Sequence, residues 1–475
     1  MKLKNKMAIL AATGAVGLIS ANSALAFENE FHGSYMLKYF ISNYEDKTSN
    51  PFLHYNDANR NGSRHRKLSN FFETRARFNY TAKASDSLKL VTSFEIDADF
   101  GDSIQGNGRN SGAGLESDQV NLETRWVYLD FKIPSTPIKV TAGIQPVRDK
   151  FKGVFFDADV AGINTVSAFG PATVGLGYYR AYDRNWFGTG TSGNYRYPKG
   201  SNNLDIVALS GDYNINKDLK VGAAYYLYSD SRLADSHATL HVFGVNADVK
   251  INELTLSGFA AVQQGAQDRP GLSDRKFNGY AFNLGKHPVG PGTLRTAFLY
   301  TSGDDGKGAN SAWQGVNQSD GLGSSSLNGE SRMVNSYNES GLILLNRNTA
   351  KGGTTADGHL VTSTGNLNQG MTLATLGYDA TITPKWYATG NIGVGWTSKD
   401  NPNTRADGRR SGSNFLGTEV NVETGYKMYD NLTALVQGAY VFLGGYYSHV
   451  DQELGPSGKK PQNPFSVRVA LNYSF

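Results

Sequence analysis

The chain contains no cysteine. That excludes disulfides, zinc–thiolate sites, iron–sulfur clusters and covalently attached c-type haem. Long apolar runs are missing as well. After residue 26 nothing approaches the ~20 consecutive apolar residues that a spanning helix needs, and the mean hydropathy is −0.42. A dominant charge of one sign is also lacking, since 46 basic residues face 42 acidic ones for a net +4. Three of those basic residues, Lys2, Lys4 and Lys6, sit in an N-terminal segment with no acid, so without that segment the net charge falls from +4 to +1. Near neutrality argues against a polyanion ligand, and no nucleic acid partner is expected. Abundant instead are Gly at 55, Tyr at 26 and Phe at 24, which suit glycine-rich loops and aromatic girdles.

What is present reads as strands. The final eleven residues, FSVRVALNYSF, alternate strictly. Phe465, Val467, Val469, Leu471, Tyr473 and Phe475 share one face, while Ser466, Arg468, Ala470, Asn472 and Ser474 share the other. Soluble sandwiches and lipid-facing barrels both use such a strand. The aromatic Phe475 at its end is similar to the signal by which bacterial outer-membrane barrels are recognised for insertion, which points to the barrel and to the barrel-assembly machinery as a partner. At the other end, the basic n-region, the apolar stretch Met7–Ile19 and the small-residue site Ala24-Leu25-Ala26 have the layout of a secretory signal peptide over residues 1–26, cleaved before Phe27. Residues 27–475 are then one unit without a visible domain boundary.

The pattern repeats along the chain. Phe72, Thr74, Ala76, Phe78, Tyr80 and Ala82 alternate with Glu73, Arg75, Arg77, Asn79, Thr81 and Lys83. Ser85-Asp86-Ser87 turns the chain, and Leu88, Leu90, Thr92, Phe94, Ile96 and Ala98 alternate with Lys89, Val91, Ser93, Glu95, Asp97 and Asp99. Seven further short-turn signals follow: 134–137, 170–171, 216–218, 252–253, 288–292, 383–385 and 429–431. Longer polar links lie between the hairpins. Eight short turns and nine longer links predict an all-β, transmembrane, antiparallel up-and-down barrel of about 18 strands, with 16 as the alternative if weakly patterned pairs such as 239–264 are loops. The stretch 302–368 reads as one extended surface loop.

The candidate site is charge on the polar face of neighbouring strands. Glu73, Arg75 and Arg77 share a face, and Glu95, Asp97 and Asp99 share the facing side of the next strand. On the strand after that, Glu123 and Arg125 alternate with Leu122, Thr124 and Trp126. Opposed ladders across a wet lumen would sort solutes by charge. Equally, the ladders could neutralise each other by cross-strand pairing, worth a few tenths to ~1 kcal/mol per pair. The segment after the fifth strand, with Arg148, Asp157 and Asp159, could fold inward and narrow the pore or remain a rim loop. Only His237 and His241 among the eight histidines lie close together, and no metal, cofactor or catalytic motif is expected.

Four stretches carry a resemblance. Trp126–Gln145 (WVYLDFKIPSTPIKVTAGIQ) with Phe156–Ile163, then Leu299–Asp305, Leu416–Val420 and Tyr429–Thr433 resemble the homotrimeric outer-membrane porins of sulfate- and metal-reducing bacteria, with some similarity to alginate-export-type barrels. The resemblance implies a water-filled channel in the outer membrane of a Gram-negative cell, passing small hydrophilic solutes and ions by passive diffusion. It implies a homotrimer in contact with membrane lipid and lipopolysaccharide, and no enzyme. The alternative is a barrel sheath holding a partner such as a multihaem cytochrome.

Overall fold

The computed structural model describes residues 28–45, 68–102, 113–115, 120–183, 202–232, 237–268, 275–285, 292–307, 309–316, 334–350, 359–399, 412–449 and 462–475. The expected signal peptide lies outside the described residues.

Nineteen strand segments follow one another antiparallel: β1 (Glu28–Ser42), β2 (Ser69–Ser85), β3 (Leu88–Asp99), β4 (Leu122–Lys132), β5 (Ile138–Arg148), β6 (Asp157–Phe169), β7 (Ala172–Asp183), β8 (Asn203–Asn214), β9 (Leu219–Asp230), β10 (Ala238–Ile251), β11 (Leu254–Gln267), β12 (Arg275–Phe277), β13 (Tyr280–Gly285), β14 (Gly292–Thr301), β15 (Met371–Thr383), β16 (Trp386–Trp396), β17 (Phe415–Tyr429), β18 (Leu432–Leu443) and β19 (Phe465–Ser474). β12 and β13 both pair with β11 and form one barrel strand, interrupted at Asn278-Gly279. There, the Asn278 and Asn310 backbone N–H groups donate to Asn310 and Lys276 carbonyls of a neighbouring loop segment and of β12. β1 pairs with β19 as well as β2, so the sheet closes into a barrel of eighteen strands. The pair 238–267 is a full hairpin, which settles eighteen over sixteen.

The alternation reads as expected on most strands. In β19, Val467, Val469 and Leu471 are exposed, whereas Ser466 and Arg468 are buried inside. Outward-facing Ile163, Leu176, Leu209, Val245, Val262, Leu376, Val422 and Phe442 continue an apolar band around the wall. Such a surface is stable in lipid, where a closed barrel leaves no unpaired edge.

Two expectations fail. In β4 the alternation slips: Ser93 pairs with Trp126 and Phe94 with Thr124, leaving Arg125 as the extra residue of a β-bulge. Trp126 therefore shares the Ser93 face instead of the Thr124 face. The stretch 302–368 is also no extended surface loop. Its described parts turn inward, burying Trp313, Tyr337 and Leu342–Leu345. The cause is chemical, because five of these residues are large and apolar and meet apolar lumen-facing side chains. Those include Leu240 and Val242 on β10, Leu299 on β14 and Leu373 on β15.

Candidate functional site: the lumen wall and its inner plug

Two segments fill one side of the lumen. The link after β5 folds inward, placing Phe151, Val154, Phe155 and Phe156 in one cluster with Trp313, Tyr337 and Leu342–Leu345 of the long link after β14. Phe155 meets Trp313 edge-on at 6.4 Å between ring centroids, and Phe151 lies 5.5 Å from Phe259 of β11. The cluster packs against inward residues of β6–β11, β13–β15, β17 and β18.

Each segment is tied down by one buried carboxylate. Asp149 accepts backbone N–H bonds from Phe151, Gly153 (3.0 Å), Phe155 (2.7 Å) and Phe156. Burial pushes its carboxyl up to about 6, against the pull of those four donors. Glu419, inward on β17, accepts backbone N–H bonds from Ile343 (2.6 Å), Leu344 (2.9 Å) and Leu345 (2.7 Å). Beside it, Asn421 bonds Glu419 and the Gly341 carbonyl, and Asn391 links Asn421 to Arg295. Arg295 in turn holds Asp379 through two bonds, at 2.7 and 2.9 Å. His359 of the long link is buried, and burial lowers its pKa to about 3.

The opposite wall, from β19 through β1 to β4, carries the charged ladders. Arg75 donates twice to Asp97, at 2.6 and 2.7 Å. Arg77 donates to Glu95, and Arg75 lies 3.3 Å from Glu95. Arg125 reaches Glu95 at 3.6 Å and Asp159 at 3.3 Å. Glu73 faces Asp99 in register, and Glu123 faces Glu95. The ladders therefore meet side by side along the wall, not across the lumen. Their solvent exposure differs by sign: the Arg75, Arg77 and Arg125 side chains are 16, 33 and 19% exposed, while Glu95 and Asp97 are 0 and 1% exposed. The three guanidinium groups are thus more exposed than Glu95 and Asp97 beneath them, while Asp159 beside Arg125 is 33% exposed.

Arg148 and Asp157 stand apart from this set. Arg148 donates to the Lys152 carbonyl at 2.6 Å and lies 3.6 Å from Asp157. Asp157 also accepts from Ser336 at 3.2 Å, while its own N–H donates to the Val334 carbonyl. Both residues brace the inward fold of the two plug segments. Sequence reasoning missed Glu45, Asp149 and Glu419. Arg468 was placed on the polar face, but its partner Glu45 lies in the link after β1, beyond any periodic signal. Glu419 could have been found from its place in the alternation of Leu416–Glu423.

No family model and no curated protein matches the chain. Among solved structures, the chain is similar to the outer membrane protein OpdK of Pseudomonas aeruginosa, with a TM-score of 0.52 and 11% identity over 94% of this chain and 99% of that one. OpdK with vanillate gives 0.53 at 10% identity over 94% and 98%. Pseudomonas aeruginosa OccK8 (OprE) gives 0.51 at 11% over 94% and 98%. At such identities the likeness is one of fold, and it places this chain among eighteen-stranded outer-membrane-type barrels.

Proposed function

We propose that the protein is an outer-membrane porin, a water-filled channel for passive diffusion of small hydrophilic solutes that favours anions. The observation that carries this is the unequal exposure of the wall charges. The plug covers the apolar side of the lumen, and on the opposite wall the Arg75, Arg77 and Arg125 side chains stay partly exposed. What a solute meets there is the guanidinium tips of Arg75, Arg77 and Arg125 with Glu95 and Asp97 buried behind them. No catalytic constellation is needed for passage, and the reading is of a channel, not an enzyme.

The sheath reading is disfavoured because the chain's own segments occupy the space that a threaded cytochrome would need. The narrower kinship with the homotrimeric porins of sulfate- and metal-reducing bacteria rests on the four sequence stretches. With it come the homotrimer, the contact with lipopolysaccharide, and insertion by the barrel-assembly machinery through Phe475 in a Gram-negative cell. Planar-bilayer recording of the purified protein tests the central claim. Stepwise conductance with a reversal potential on the anion side of zero is expected in a salt gradient. An absence of conducting steps would overturn it, and cross-linking in detergent checks the trimer.

A further inference from the structure

The barrel wall has a place where its ladder stops early. β4 pairs with β5 only over Val127–Lys132. The outer part of β4, 122–126, pairs with β3 alone, and the outer end of β5, 145–148, pairs with β6 alone. On the far side, β6 joins β7 only from Ala161 inward. The end of the β5–β6 hairpin is thus detached from both neighbours. Its connection folds into the lumen with the Phe151–Phe156 cluster, and between β4 and β5 the wall has a slot in its ladder that no strand pair spans.

Local chemistry finishes this slot. Pro146 has no N–H to offer β4. Gly143, at φ +133 and one rung inside the last pair, lies so close to β4 that a Cβ there would sit 2.3 Å from the Val127 carbonyl oxygen. The Gln145 amide turns away from β4 and donates to the Gly162 carbonyl of β6 at 3.0 Å. Across the slot, the Trp126 indole N–H donates to Asp159 at 2.7 Å, and Arg125 spans from Asp159 to Glu95. Irregular backbone in a barrel wall is tolerated only where protein or water satisfies it. Eight residues separate Ile138 from Pro146, roughly 20 Å along a tilted strand, which puts the slot at the outer edge of the apolar band.

We propose that this slot is a side entrance through which small amphipathic carboxylates exchange between the outer leaflet and the lumen. The exposed Val127 and Ile144, one rung inward of Arg125, and the exposed Pro146 offer an apolar lip at the depth of lipid tails. Arg125, held by single contacts on either side, offers a guanidinium at headgroup depth that already touches the lumen-wall residue Glu95. A tail in the leaflet and a head on Arg125 fit that order. The inference rests on the channel reading above.

The test uses cysteine, which the chain lacks. Pro146→Cys and Leu129→Cys proteins are placed in phospholipid liposomes and treated with a permanently charged methanethiosulfonate. Position 146 is expected to react and position 129 to react only with a lipid-soluble maleimide. Decanoate should slow the reaction at 146 by about tenfold, equivalent to 1.4 kcal/mol, and acetate should not. Adding Arg125→Gln should abolish the protection and leave the reactivity. If the Pro146→Cys barrel fails to assemble, Thr124→Cys on the opposite lip reads the same contrast. Position 146 behaving like 129, equal protection by acetate, or protection that survives Arg125→Gln would overturn the proposal. Potassium chloride conductance of the unsubstituted protein is recorded separately, so a failed channel is distinguished from a failed side entrance.

Discussion

The Phe475 ring lies directly over Gly33. The two residues exchange both backbone bonds, Gly33 N–H to Phe475 O at 2.8 Å and Phe475 N–H to Gly33 O at 3.0 Å. A Cβ on Gly33 would sit 2.2 Å from the Phe475 ring. Phe31, Phe78 and Tyr473 flank the ring at 5.9, 6.4 and 5.7 Å. The C-terminal aromatic thus locks the seam where the first and last strands meet, and the missing side chain at 33 makes room for it.

Gly33→Val should therefore weaken closure, as should deletion of Phe475. Both variants should show a lower temperature of conversion to the slow-migrating unfolded form in heat-modifiability gels, while Phe475→Tyr stays near the parent. An unchanged transition for Gly33→Val would mean that the ring can move aside without loss.

The β4 bulge makes a sharp labelling prediction. With cysteine at Phe94 and Glu95, lipid-soluble reagents should reach 94 and water-soluble ones 95. A cysteine at Trp126 should follow 95, although uninterrupted alternation from Leu122 would send it with 94. Lipid-side labelling at 126 would remove the bulge from the fold.

Glu419→Gln should loosen the plug. The neutral amide can accept fewer of the three N–H bonds, and each buried N–H left unmet costs about 1–3 kcal/mol. Single-channel conductance should rise, with more current noise, while the barrel stays heat-modifiable at the parent temperature. A parental conductance would show that Asn421 and the apolar cluster hold the segment without the carboxylate.

Acid should loosen the same plug through His359. Its folded pKa, about 3, lies below the ordinary 6.5, so the stabilisation is full above pH 6.5 and is lost as pH falls toward 3. Asp149, raised to about 6, works in the opposite direction, favouring the folded segment as pH falls from 6 to its ordinary 3.8. The two offset each other in between, so the clearest opening is expected below about pH 4. Conductance recorded from pH 7 to 3.5 should rise at the acid end, and His359→Asn should flatten that rise.

Selectivity should follow exposure. Arg77→Gln, at the most exposed of the three ladder guanidiniums, should move the reversal potential toward cations. Glu95→Gln should move it little, because that carboxylate is shielded from the lumen. Both shifts should shrink at 1 M salt, where the Debye length is about 3 Å. A larger effect from Glu95→Gln would reverse the order of the layers.

Strand number and facing were legible because a period of two survives in nearly every strand, and because short turns such as Asn252-Glu253 announce themselves. The ladders of β2 and β3 were legible for the same reason. Their pairing was not, since alternation tells which face Arg75 and Asp97 share but not whether they reach along the wall or across the lumen. Trp126 was misplaced because one inserted residue inverts everything before it and leaves no mark in composition. The inward fold of residues 334–349 was hidden by the polar residues around a short apolar run, Leu342–Leu345, whose burial depends on Glu419 some seventy positions away.

The plug also separates two properties that barrels usually couple. Strand number fixes how wide a cylinder is, yet here the passage is set by segments attached to the cylinder at a few carboxylate anchors. Trimming or swapping those segments changes the calibre of the passage without altering a single rung of the wall, so one scaffold can be retuned for solutes of different size while keeping the same lipid-facing exterior.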